Sequence, residues 1–219
     1  MNIFDILGPV MIGPSSSHTA GACRIGLIAR IMLGEPVVKA DIYLHGSFAE
    51  TYRGHGTDRA IVGGLMGFSP WDERIRQALE IAGREGLEVN IHKANLGDVH
   101  PNTAKINVIG PTGKTLSLVA SSIGGGNIKV INLAGFDVDF NGQFHTLVIP
   151  HLDRPGAVGA VTKLLADKGI NIAQMRVARE HRGSQAMMII ETDEAVDQAV
   201  VVELKTIPNL VSVTLVEPV

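Results

Sequence analysis

The chain has 219 residues, 45 % hydrophobic and 19 % charged, which is enough apolar material for a sizeable core and excludes wholesale disorder. The net charge is −3. Residues up to 143 carry 12 basic and 13 acidic side chains and the rest carry 7 and 9, so neither half offers the basic surface of a nucleic-acid or anionic-membrane partner.

At the start of the chain, the longest uncharged stretch, Ile6 to Cys23, is interrupted by Gly8, Pro9, Gly13, Pro14 and three serines. Asp5 stands where a secretory leader carries positive charge. Neither a membrane span nor a leader is expected, and a cytoplasmic location follows as the expectation. Ala22, Ile25, Ile28, Ala29 and Met32 recur at helical spacing behind Pro14 and three serines, which predicts a helix from about His18 to Leu33, stopped by Gly34. Val38, Ala40, Ile42 and Leu44 alternate with Lys39, Asp41 and Tyr43 as in a half-buried strand. Residues 54–58 read as a loop entering a short helix, Arg59 to Met66. Ser69, Pro70 and Asp72 mark another helix start, with Trp71, Ile75, Ala78, Leu79 and Ala82 as its buried face and Gly86 as its stop.

Strands are predicted over Glu88–His92, Thr103–Ile109, Thr115–Ala120 and Ile128–Leu133, with Asn141-Gly142 as a hairpin turn. The pattern then changes. A strand at Phe144–Pro150 precedes a helix at Gly156–Lys168 with Val158, Val161, Leu164 and Leu165 inward. Strands at Asn171–Arg179 and Gln185–Thr192 flank a turn, a helix covers Glu194–Leu204, and a last strand covers Leu210–Glu217. This is the βαββαβ order of a ferredoxin-like unit. The fold expected is therefore α+β: an α/β domain over 1–143, then a ferredoxin-like domain over 144–219.

Cys23 is the one cysteine. It excludes an internal disulfide, and any metal or iron–sulfur site needing three or four cysteines from this chain. The strongest local signal is Gly13-Pro-Ser-Ser-Ser-His-Thr-Ala-Gly21. Serines at a helix start satisfy orphan N–H groups, and the same N–H groups and helix dipole attract anions. Three hydroxyls exceed what one cap needs, and Ala20, Gly21 and Ala22 would allow close approach. The functional reading is a carboxylate or phosphate site; the ordinary one is a serine-rich cap. His18, at the positive helix end, would have a lowered pKa and be able to act as a base. In Gly54-His55-Gly56-Thr57-Asp58, Asp58 could orient His55, or the segment is a loop with a helix cap.

His100-Pro101-Asn102-Thr103 is polar and rigid. Gly124-Gly125-Gly126 lacks the spacing of a dinucleotide or P-loop site and reads as a turn between strands. Met187 and Met188 read as core. Asp153-Arg154-Pro155-Gly156 is a tight strand-to-helix turn.

Taken together, GPSSSHTAGACRIG, GSFAETYRGHGTD, AIVGGL, HPNTAKI and SIGGGNI make the chain resemble the β chain of iron–sulfur-dependent bacterial L-serine dehydratase, with a C-terminal ACT domain from about residue 145. The resemblance implies conversion of L-serine to pyruvate and ammonia with a [4Fe–4S] cluster whose cysteines come from an α chain. It also implies that this chain completes the active site. The first domain is similar to the allosteric substrate-binding domain of some phosphoglycerate dehydrogenases. His18 and His55 match the motif histidines associated with catalysis, one as base and the other as acid or hydroxyl-positioning group, with Asp58 beside them. Ser15, Ser16, Ser17 and Thr19 are the carboxylate-binding candidates, with Asn102 and Thr103 after them. No metal ligands are expected in this chain.

The second domain resembles the serine-sensing domain of phosphoglycerate dehydrogenase. His151 and Asn171 match its effector-binding residues, Gly156 lies in the matching turn, and Asp153 replaces an asparagine. An acid there repels a carboxylate and suits an ammonium group, which speaks against serine as effector and leaves another amino acid, a metal ion or pure dimerisation open. A contact between two copies of this chain is expected. The competing reading is a non-catalytic amino-acid-sensing subunit.

Overall fold

The computed structural model describes residues 10–219. The readings that rest on residues 1–9, the absence of a leader among them, lie outside the described residues. The chain divides into two compact units between Ala134 and Gly135. That point lies before the expected boundary at 143, the difference being one short strand, β6 (Phe136–Phe140).

In the first unit, a π-helical turn at Ser16–Gly21 runs into α1 (Ala22–Leu33), which ends at Gly34 with φ 77°. Then come β1 (Lys39–Leu44), α2 (Gly46–His55) and α3 (Thr57–Leu65). A 3₁₀ turn at Glu73–Gln77 leads into α4 (Ala78–Arg84). β2 (Glu88–Lys93), β3 (Thr103–Ile109), β4 (Thr115–Gly124) and β5 (Asn127–Leu133) follow. The strand order is β2-β1-β3-β4-β5. β1 and β2 run parallel, and the other neighbours antiparallel. Ala40, Ile42 and Leu44 alternate inward as the pattern requires, while Val38 precedes the strand and is exposed.

α1 and α3 cross at backbone contact. A Cβ at Gly26 would collide with the Ile61 carbonyl oxygen, and one at Gly64 with that of Cys23. Only glycine at both positions lets the helices come this close. The Cys23 thiol donates to the Phe68 carbonyl at 3.2 Å and is fully buried, which pushes its pKa up to about 12.

Three expectations fail here. Gly46–His55 is a helix that the sequence pattern did not mark. The helix expected at Ser69 begins instead at Asp72, whose carboxylate accepts the Arg74 N–H at 2.9 Å. Trp71 precedes that start and is 58 % exposed, and Leu79 also faces outward, so neither is core.

The second unit holds β6, β7 (His145–Leu152), α5 (Ala157–Asp167), β8 (Ile172–Arg179), β9 (Gln185–Thr192), α6 (Gln198–Leu204) and β10 (Thr214–Val216). The sheet order β10-β7-β9-β8 with two helices is the βαββαβ arrangement read from the sequence. Val161, Leu165, Met188, Ile190 and Leu204 form its centre, with Val158 and Leu164 packed against it. Burying each of these large side chains contributes about 1.5–3 kcal/mol. The last strand is shorter than expected, and α6 starts at Gln198 rather than Glu194. Asn141-Gly142 is a turn, with Gly142 at φ 70°, but β6 and β7 are not sheet neighbours.

Candidate active site

Ser15 caps the π-helical turn. Its backbone is extended (φ −144°, ψ 124°), and its Oγ accepts the His18 N–H at 3.3 Å. The hydroxyls of Ser16 and Ser17 are half-buried and have no partner among the described residues. A π turn leaves the usual helix ladder out of step and is frequent at functional sites. The small residues expected to admit a ligand instead admit the sheet. A Cβ at Gly21 would collide with Ser122 Oγ on β4.

His18 leaves this turn nearly buried, at 8 % exposure. Its Nε2 lies 3.2 Å from Ser47 Oγ and its Nδ1 3.4 Å from Ser15 Oγ. Its ring meets that of His55 edge-on, 4.7 Å between centroids, and that of Phe48 at 5.2 Å. Burial lowers its pKa, and the neighbouring His55 lowers it further, against the hydrogen bonding to Ser47.

His55 closes α2. Gly56 then takes φ 71°, ψ 24°, ending one helix and starting the next, which is why glycine stands there. His55 Nδ1 is buried and unpaired. Asp58 does not orient it. The carboxylate is 7 % exposed and accepts the Arg59 N–H at 2.8 Å, because Asp58 lies in the first turn of α3, beyond the reversal at Gly56.

Asn102 and Thr103 part ways. Thr103 is fully buried and donates to the His100 carbonyl at 2.5 Å, with Ser121 Oγ at 2.7 Å, so its hydroxyl is taken by the sheet. The Asn102 carbonyl accepts at 2.9 Å the N–H of Ser122, the residue on which the π turn rests, and the Asn102 Oδ1 is buried without a partner. Thr19 Oγ1, Thr57 Oγ1 and Ser122 Oγ are likewise buried and unpaired. Buried polar atoms rarely stay unpaired without a reason. Thr19 follows His18 on the turn, Thr57 follows the αL reversal after His55, and Ser122 packs against Gly21 of the turn.

A cleft of about 400 Å³ opens beside Thr19 and His55. Thr19 and His55 line it together with Ile12, Gly13, Pro14, Gly54, Gly56 and Ile75, and with three arginines, Arg53, Arg59 and Arg76. Ser15, Ser16, Ser17 and His18 do not line it; His18 stands behind His55. Sequence reading missed the arginines and Ser47. The arginines come from α2, α3 and the 3₁₀ turn and form no motif, so only the fold collects them.

In the second unit the effector candidates separate. Asp153 accepts the Gly183 N–H at 3.0 Å and the Arg179 guanidinium at 3.1 Å, which hold its carboxyl below the usual range. His151 is buried, with Nδ1 2.9 Å from the Leu152 carbonyl and Nε2 unpaired. Gly156, at φ 91°, caps α5. Asn171 donates to Asp193 Oδ2 at 2.6 Å. β7 and β8 both pair antiparallel with β9 and so run the same way. His151 is the last residue but one of β7 and Asn171 precedes β8, which puts them at opposite ends of the sheet.

Residues 2–132 match the family model described as serine dehydratase beta chain. The chain belongs to that family. Residues 145–209 match the ACT domain. A probable L-serine dehydratase β chain of Bacillus subtilis is 45 % identical over 97 % of this chain and 96 % of its own length. The L-serine dehydratase β chain of Peptoniphilus asaccharolyticus is 38 % identical over 90 % of this chain and 89 % of its own. The D-3-phosphoglycerate dehydrogenase of Bacillus subtilis is 27 % identical over 90 % of this chain, which corresponds to 37 % of that enzyme. Among the described residues no helix is long and apolar enough to cross a membrane.

Proposed function

We propose that the chain is the β subunit of a cytoplasmic L-serine dehydratase that converts L-serine to pyruvate and ammonia with a [4Fe–4S] cluster carried by an α chain. The residues of this chain do not fit such a cluster. Its one cysteine is buried, engaged with the Phe68 carbonyl and held protonated, and no three His, Cys, Asp or Glu side chains gather as ligands among the described residues. What this subunit contributes is therefore done by its own side chains.

The observation that carries the reading is the pair His18–His55 at the back of a cleft rimmed by arginines. Serine must lose its α-proton and its β-hydroxyl. His55 lines the cleft with an unpaired ring nitrogen and is the base within reach of a bound amino acid. Burial lowers the His18 pKa and favours its neutral form, with its ring edge-on to that of His55 at 4.7 Å between centroids. Of the polar candidates, Thr19 lines the cleft and supplies a contact to the substrate, while Ser16, Ser17 and Asn102 lie outside its lining. The second unit binds an effector, an amino acid or an ion, between two copies of the chain. The opposite placement of His151 and Asn171 supports a shared site of that kind.

The test is co-expression with and without the α chain under anaerobic conditions, with pyruvate formation from L-serine as readout. A complex that makes pyruvate, and loses it on His55→Ala at saturating serine, is the expected result. Full activity from the α chain alone would overturn the reading. The similarity to part of a phosphoglycerate dehydrogenase favours a second reading, an amino-acid-sensing subunit. On that reading His18→Ala and His55→Ala would change regulation and leave maximal turnover intact.

A further inference from the structure

The cleft beside His55 has an electrostatic character that the proposed reaction does not by itself require. Arg53, Arg59 and Arg76 line it, and among the described residues no aspartate or glutamate does. None of the three guanidinium groups forms an ion pair among the described residues; Arg53 only lies over the Tyr52 ring, at 5.5 Å. Arginines on a surface are common. What sets these apart is a polar group behind them. Thr19 is 2 % exposed, lines the same cleft, and its Oγ1 has no hydrogen-bond partner. A buried hydroxyl left unpaired costs about 1–3 kcal/mol unless a ligand satisfies it. Gly13, also in the lining, is packed on that hydroxyl so closely that a Cβ would collide with it. A side chain at Gly13 would displace Thr19 Oγ1 from its place in the wall.

We infer that this cleft is a carboxylate-binding site that the chain forms by itself, with Arg59 and Arg76 as the charged grip and Thr19 Oγ1 as the buried donor, so that an amino acid enters it carboxylate first. Guanidinium groups suit the planar, two-oxygen geometry of a carboxylate. The corollary concerns the other end of the ligand. Among the described residues, an ammonium group finds no acidic partner in the cleft wall. The identity of the carboxylate as serine rests on the proposed function; the binding itself does not.

The experiment uses the full isolated chain and reads histidine ring and backbone amide signals by NMR during titration. The probes are L-serine, 3-hydroxypropionate, which lacks the ammonium group, and L-serinamide, which lacks the carboxylate. The expected result is that L-serine and 3-hydroxypropionate move the His55 ring and Thr19 amide signals and that L-serinamide does not. Arg59→Gln and Arg76→Gln should each weaken 3-hydroxypropionate roughly ten-fold, as loss of one charge-assisted hydrogen bond does. Arg59→Lys should recover part of that loss. Arg84→Gln, on α4 and away from the cleft lining, should bind as the parent does. No response to 3-hydroxypropionate, an equal response to L-serinamide, or unchanged binding by folded Arg59→Gln and Arg76→Gln would each overturn the inference. An inactive complex with the α chain would sink the lyase reading and leave this result standing.

Discussion

The contact between α1 and α3 allows one chemical change to be tested with opposite signs. Gly64→Ala places a methyl group against backbone: it would overlap the Cys23 carbonyl oxygen and lie 2.7 Å from the Leu27 nitrogen and 3.0 Å from the Cys23 carbonyl carbon. Ordinary contact is no closer than 3.4 Å. Backbone atoms inside a helix cannot rotate away, so the helices must separate by roughly 1 Å. Overpacking of this kind costs about 1–3 kcal/mol, against a gain of up to ~1 kcal/mol from the better helix propensity of alanine. Contact with backbone puts this site at the upper end, for a net loss of about 2 kcal/mol. Gly83→Ala is the control. It sits in α4, and a Cβ there meets nothing within 4 Å, so only the propensity gain of about 0.5–1 kcal/mol remains.

Urea unfolding of the two variants should therefore move the midpoint in opposite directions. The displacement also reaches the site, because α1 continues from the turn that carries His18. A shift of about 1 Å in a catalytic group costs on the order of 10²-fold in turnover, so the Gly64→Ala complex should lose activity beyond its loss of folded protein. A Gly64→Ala chain as stable as Gly83→Ala would refute the close-packing argument.

Removing His55 in the active complex should lower turnover about 10²–10⁴-fold without changing the circular dichroism spectrum, since a positioned general base contributes that much. In the isolated chain the His18 ring should titrate below the ordinary 6.5, and His55→Ala should move it part of the way back, because burial is the larger cause. The sign for stability follows: the unfolded chain takes up this proton first, so stability falls as pH drops below about 6.5. Cys23, buried and with its pKa pushed to about 12, should resist iodoacetamide at pH 8 until the chain is unfolded, and Cys23→Ala should leave the iron content of the complex unchanged. Labelling of the native chain, or loss of iron, would contradict the conclusion that Cys23 holds no part of the cluster. Asp153→Ala should speed amide exchange at Gly183, because the carboxylate is the acceptor of that N–H. The same loosening should appear in the parent as pH falls through the lowered pKa of Asp153.

Local sequence determined much of this molecule. The helical spacing of Ile25, Ile28, Ala29 and Met32 specifies α1, and Gly34 stops it, because both act within a turn or two. The order of strands and helices in the second unit was legible for the same reason, down to the inward face of α5 and the core placement of Met187 and Met188. The serine cap and the two histidines were visible as unusual local chemistry.

Tertiary structure decided the rest. α2 escaped notice because only Phe48 and Ala49 are buried on it and it opens on glycine, which leaves little periodicity to read. Asp58 follows His55 by three residues yet bonds its own helix start, since the αL reversal at Gly56 stands between them. Small residues at Gly21, Gly26 and Gly64 looked like room for a ligand or plain helix, and their partners are Ser122 and the backbones of α1 and α3. The cleft arginines lie at positions 53, 59 and 76 with no common spacing. Their convergence depends on how three elements pack, and that is set by the summed contacts of the whole core rather than by any segment of the chain.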